Sequence, residues 1–227
     1  MKVAVLFSGG KDSTFATYVA LEQGWEVKYL VTIIPETKES WMFHHPCIEL
    51  TKLQAKTIRI KQIVRTTTGE KEKELEDLIA AIKPITVEVD AVVSGAVASR
   101  YQKDRIDAVC KELGVRSIAP LWHKNEERLL KEEIDAGFEI TITGVATAGM
   151  DKSWLGRRVN MHTINELKQL NEKFGVNICG EGGDYETIVT DSPIFKQQIK
   201  LSNIEKFWDK KTGSGYIICQ NAKLIDK

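Results

Sequence analysis

The sequence has no excess of charge of either sign, no paired cysteines and no long apolar run, and each absence excludes a class of function. Thirty-two Lys and Arg balance thirty-two Asp and Glu, so no global field grips nucleic acid or an anionic membrane. A nucleic-acid role would need a local basic patch with interleaved aromatics, and none is visible. The four cysteines, Cys47, Cys110, Cys179 and Cys219, form no CxxC pair. That excludes a disulfide framework and a paired-cysteine zinc site, and makes a reducing cytoplasm the expected setting. No stretch approaches the length of a membrane span, and Lys11 and Asp12 follow the opening Met1–Phe7 too closely for a signal-peptide core. There is no internal repeat, low-complexity tract or Pro/Gly/Ser-rich linker.

What is present is an ordinary globular composition, 42% hydrophobic and 28% charged over 227 residues. Folding a chain of this size hides roughly 70–75% of its unfolded surface, so a core forms without disulfides or a structural metal. The apolar run 3–7 ends in Ser8-Gly9-Gly10, and Phe15, Tyr18 and Val19 then recur at helical spacing. The near-continuous run 29–34 predicts a strand covered on both faces. Helix is expected over 48–55, strand over 58–64, and a helical face at Leu75, Leu78, Ile79 and Ile82. Strands at 91–93 and 115–119 flank a helix whose Ile106, Val109, Cys110 and Leu113 share one face, with Cys110 expected to be core. This alternation predicts an α/β fold with a doubly wound, Rossmann-like parallel sheet, with ligands beyond strand ends at Ser8, Thr32 and Ser94.

The texture changes near residue 120. Phe138, Ile140 and Ile142 alternate as in a half-exposed strand, a helix is expected over 164–174, and 216–219 reads as an isolated strand. The expected organisation is a parallel-sheet domain over 1–120 and a smaller α+β domain over 121–227.

Ser8-Gly9-Gly10-Lys11-Asp12-Ser13 lies between a strand and a helix, where backbone N–H groups and the helix N-terminus favour an anion. It is neither a Walker A loop nor a GxGxxG fingerprint. The plain alternative is a tight glycine turn with Asp12 or Ser13 capping a helix. As a phosphate cradle the loop holds an acid, which would repel the ligand unless a divalent ion lay between. Asp12 is therefore the candidate ligand of Mg²⁺ on ATP, and Lys11 and Ser13 can contact phosphate oxygens.

The string SGGKDS resembles the PP-loop of the N-type ATP pyrophosphatase superfamily, which implies cleavage of ATP between the α- and β-phosphates. Four further strings, Trp41–Pro46, Gly95–Gln102, Asp151–Arg157 and Gly180–Thr187, resemble the diphthine:ammonia ligase family. That resemblance implies the last step of diphthamide synthesis, in which ATP and ammonium convert the diphthine carboxylate of translation elongation factor two into an amide. It departs from the family pattern at Cys47, where Asn is expected, and at Asp184, where Glu is commoner.

On this reading Ser8, Gly9, Gly10, Lys11, Asp12, Ser13, Thr32, His45, Gly95, Ser99 and Gln102 bind ATP, with Lys11 and Asp12 also catalytic. Trp154, Arg157, Gly182, Gly183, Asp184, Tyr185, Glu186 and Thr187 are expected to bind the substrate. Acidic and aromatic side chains near Tyr185 suit the trimethylammonium group that the resemblance supplies, and Glu181 or Glu186 is the candidate base for ammonium. Each has a plainer alternative: a glycine-rich turn for 180–187, core packing for Trp154, a surface charge for Arg157, and an exposed first turn for 101–105. Competing functions are a PP-loop RNA thiolase, which needs a reactive cysteine, and a non-catalytic ATP sensor.

Overall fold

The computed structural model describes residues 1–35, 47–70 and 73–227. His45 and the string 41–46 lie outside them. In chain order the elements are β1 (Lys2–Leu6), α1 (Lys11–Glu22), β2 (Glu26–Pro35), α2 (Thr51–Ile58), β3 (Lys61–Thr67), α3 (Lys73–Ile82), β4 (Ala91–Val93), α4 (Arg100–Glu112) and β5 (Arg116–Ile118). They continue as α5 (Glu126–Asp135), β6 (Glu139–Val145), α6 (Met161–Phe174), β7 (Tyr185–Asp191), β8 (Gln198–Asp209) and β9 (Ser214–Ile225). Two compact units result.

The first unit is built on a five-stranded sheet of order β3-β2-β1-β4-β5, with every neighbouring pair parallel. This is the doubly wound arrangement that the sequence pattern predicts. The chain runs from β1 outward to β3 and returns to β4 on the other side of β1, so the order reverses between β1 and β4, where such sheets bind ligands. The strands are apolar because both faces are covered: Val3, Ala4 and Val5 in β1 and all of β4 are fully buried. Leu78 and Ile82 of α3 and Ile106, Val109 and Cys110 of α4 pack with Ala4, Val31 and Val92. Cys110 is thus core.

The helix expected over 48–55 begins as a 3-10 turn, Ile48–Leu50, and runs on to Ile58. Arg59 then takes a left-handed φ of 63°, which ends the helix and delays β3 to Lys61.

The second unit carries a four-stranded antiparallel sheet of order β7-β6-β9-β8. Central β6 buries Ile140 and Ile142 completely and pairs with β7 along its length. The predicted isolated strand near 216–219 is one arm of a long hairpin: β9 pairs with β6 through Tyr216 and Gly215 and with β8 at eleven positions between Gln198 and Asp209. Helix α5, unexpected from its charged sequence, is capped by the Asn125 side chain and buries Leu129 and Leu130. Residues 9–11 and 47–57 also pack in this unit.

Candidate functional site

In the first unit the candidate residues collect at the carboxyl ends of β1, β2 and β4. The Ser13 hydroxyl accepts the Ser8 N–H at 3.2 Å and lies 3.2 Å from the Ser8 hydroxyl, which closes the loop on the first turn of α1. Asp12 sits in that first turn, where a carboxylate also offsets the helix dipole.

Gly95 follows β4, and a Cβ there would come within 2.7 Å of the Asp12 carbonyl carbon and the Ser13 nitrogen. The position requires glycine because backbone packs on the loop. Beside it Ser94 is buried, and its hydroxyl makes no hydrogen bond among the described residues. A buried donor left open at a strand end fits a ligand oxygen.

Two expected ATP contacts are already committed within the protein. The Thr32 hydroxyl donates to the Phe7 carbonyl at 2.7 Å and accepts Gln62 Nε2 at 2.8 Å. Thr32 is therefore a clamp that holds the end of β1 against β2. Ser99 is the N-cap of α4, accepting the Gln102 N–H at 3.4 Å, so these two residues form the helix start together.

The centre of the loop belongs to the second unit. Gly9 is left-handed, with φ 79°. Its carbonyl accepts the Val189 N–H of β7 at 3.0 Å and Gln54 Nε2 at 2.8 Å. The Lys11 N–H donates to the Thr187 hydroxyl at 3.2 Å, and the Lys11 side chain is only 2% exposed. Thr187, expected to touch substrate, is buried and tethers the loop.

Gly180–Thr187 is held by residues the sequence did not single out. Asn177 Oδ1 accepts the N–H groups of Cys179 and Glu181, and Glu126 accepts Asn177 Nδ2 and the Ile178 N–H. The Asp184 carboxylate accepts the Asn177 N–H at 2.6 Å, so it braces the loop.

Tyr185 corrects the aromatic part of the expectation. Its ring is 3% exposed, packed where a Gly180 Cβ would collide, and its hydroxyl donates to the Ile178 carbonyl at 2.6 Å. It is core and offers no open face to a cation. Gly182 and Gly183 remain exposed with left-handed φ, and Glu181 and Glu186 are half-buried.

Trp154 is likewise buried at 6% exposure. The Arg157 guanidinium stacks 4.3 Å over its ring and pairs with Glu166. The preceding Asp151 caps the 3-10 turn Lys152–Trp154, and hydrogen bonds from the Ser153 side chain and N–H, with the Arg157 charge, hold its carboxyl below the usual range. Trp154 is therefore the support on which Arg157 lies, not itself an exposed contact.

The two cysteines in candidate loops, Cys47 and Cys179, are buried. Burial, with a contribution from Glu49, pushes the Cys47 thiol up to about 12, and it lies 3.7 Å from the Ile217 carbonyl. Cys179 is buried, with Sγ 3.2 Å from the Glu126 carbonyl. Among the described residues no group of three or more His, Cys, Asp or Glu could hold a metal ion, and no helix is long and apolar enough to cross a membrane.

A polar residue on an apolar helical stripe was the available signal for Gln54, since Leu50, Gln54 and Ile58 share one face and all are buried. For Asn177 the signal was its place just before a glycine turn.

Comparison with known proteins adds an independent finding. Residues 1–117 match the family model described as diphthamide synthase N-terminal domain, and 125–225 match the diphthamide synthase C-terminal domain. The chain is 34% identical over 230 residues to the diphthine–ammonia ligase of Rattus norvegicus and 33% over 231 to that of Homo sapiens, covering 90% of this chain and 84% of each relative. It is 34% identical to the diphthine–ammonia ligase of Schizosaccharomyces pombe but spans 37% of that longer protein. A solved structure from Methanocaldococcus jannaschii, described as a predicted subunit of tRNA methyltransferase, overlaps 85% of this chain and 98% of its own, with a TM-score of 0.48 and 18% identity.

Proposed function

The chain belongs to the diphthamide synthase family, whose matched relatives are diphthine–ammonia ligases, and from that premise we propose that it uses ATP to amidate the diphthine of translation elongation factor two with ammonium in the last step of diphthamide synthesis. Residues 1–120 bind Mg·ATP and 121–227 take the diphthine-bearing segment, in the cytoplasm.

The observation that carries the ATP half is the loop itself, a left-handed Gly9 at the end of β1, α1 starting at Lys11, and Gly95 backbone packed where a side chain would collide. Ser8, Gly9, Gly10, Lys11 and Ser13 surround the phosphates, the open hydroxyl of Ser94 adds a donor, and Gly95, Ser99 and Gln102 border the nucleotide. Asp12, in the first turn of α1, would hold an Mg²⁺ ion carried by ATP, and the ion would offset phosphate charge.

In the reaction, a diphthine carboxylate oxygen bonds to the α-phosphorus and the bond to the bridging oxygen breaks, releasing pyrophosphate. Lys11 and the loop N–H groups offset charge building on that leaving group. Ammonia then attacks the acyl carbon, AMP leaves, and the extra proton passes to a carboxylate, for which Glu181 and Glu186 are the candidates. Arg157 balances the acyl-phosphate charge.

The buried thiols of Cys47 and Cys179 count against a thiolase. Substrate labelled with ¹⁸O in the diphthine carboxylate tests the route: one labelled oxygen should appear in AMP, whereas unlabelled AMP would exclude the acyl-adenylate.

A further inference from the structure

Gln54 of α2 joins the phosphate loop to β7, although it lies on neither. It is fully buried, and its Nε2 donates to the Gly9 carbonyl and to the Val189 carbonyl, both at 2.8 Å. The Val189 N–H donates to the same Gly9 oxygen at 3.0 Å. These partners fix the carboxamide, because the reverse orientation would aim Oε1 at two carbonyl oxygens.

The fit has a cost. Oε1 makes no hydrogen bond among the described residues and lies 2.2 Å from where a Gly9 Cβ would stand. An apolar side chain on the Leu50–Ile58 stripe would avoid a buried open acceptor. The two donated bonds are therefore what glutamine supplies here that an apolar residue would not.

We propose that Gln54 is a positioning residue for the ATP phosphates, which fixes the Gly9 peptide so that the loop presents its N–H groups to the anion. In a trans peptide the N–H of Gly10 points opposite to the Gly9 carbonyl. Two donors on that carbonyl hold it toward β7, so the Gly10 N–H faces away from the strand. The second tether, Lys11 N–H to Thr187, fixes the next residue to the same strand. The inference rests on reading Ser8–Ser13 as the ATP phosphate loop.

Isothermal titration of Mg·ATP, pyrophosphate and AMP into the wild-type chain and Gln54→Met tests it. The variant should weaken Mg·ATP and pyrophosphate at least tenfold while AMP stays within twofold. Equal weakening of all three, as general loosening would give, or no change, overturns the inference. Gln54→Leu likewise carries no donor and adds no charge, and it should show the same selective loss; it decides the matter if the Met variant does not fold. A wild-type chain that binds neither Mg·ATP nor pyrophosphate overturns the phosphate-loop reading itself, a result distinct from equal binding by wild type and variants.

Discussion

The Glu126 carboxylate accepts the Asn177 side-chain amide at 2.7 Å and the Ile178 N–H at 3.2 Å. One acid at the start of α5 thereby fixes the entry to the glycine turn that carries Glu181 and leads to Glu186. The turn is assembled by protein contacts, and its exposed glycines are held by a rigid frame.

Glu126→Ala should therefore act on one substrate. Hydrogen bonds to a charged group contribute roughly 1.5–3 kcal/mol each, so the KM for the diphthine protein should rise about tenfold or more with the KM for ATP nearly unchanged. Steady-state kinetics check this, and equal rises in both constants would contradict it.

Trp154→Ala should be a stability variant first. Removing a buried tryptophan costs about 3–5 kcal/mol, which at this chain length lowers Tm by roughly 10 °C. Calorimetry should find that loss. Glu166→Gln, which leaves the ring in place and frees Arg157, should keep Tm within a few degrees while altering the KM for diphthine.

The alternation of strands and helices was legible because both-sided burial writes a near-continuous apolar run such as 29–34 into the sequence. The strand-turn-helix junction at Ser8–Ser13 was legible because glycines close an apolar run there and helical spacing follows at once. Side chains that serve as scaffolding were not: Thr32, Thr187, Asp184 and Tyr185 have the composition of ligand contacts, and only their hydrogen bonds and burial reveal their partners. The β8–β9 hairpin was legible only at 216–219 because few of its residues are buried, which weakens the period-two contrast that marks a half-buried strand. Glu126 and Gln54 escaped for the opposite reason, since a polar helical residue reads as surface until its partners are seen.

Gly95→Ala should damage ATP use directly. Its Cβ would stand 2.7 Å from the backbone of Asp12 and Ser13, and backbone cannot yield as a flexible side chain does. Overpacking of this kind costs typically 1–3 kcal/mol, so the KM for ATP should rise about tenfold. An unchanged ATP constant would show that the approach of this strand end to the loop is irrelevant to binding.

Thiol titration of the native protein near pH 8 should find Cys219 reactive and Cys47, Cys110 and Cys179 protected until unfolding. Burial raises Cys47 to about 12 and Cys110 to about 11, above the ordinary 9.0. With the folded values raised, stability is complete below about pH 9 and falls as pH rises toward 11–12, because the unfolded chain releases those protons first. Denaturation midpoints measured from pH 8 to 11 should decline, and rapid native labelling of Cys47 would contradict the buried site.

The most direct test incubates the chain with Mg·ATP and ammonium, with and without diphthine-modified elongation factor two, following nucleotides chromatographically and the factor by mass spectrometry. AMP and pyrophosphate should form only with the modified factor, in a one-to-one ratio with the new amide. ADP and phosphate as products, or AMP formed without amide on the factor, would contradict the account.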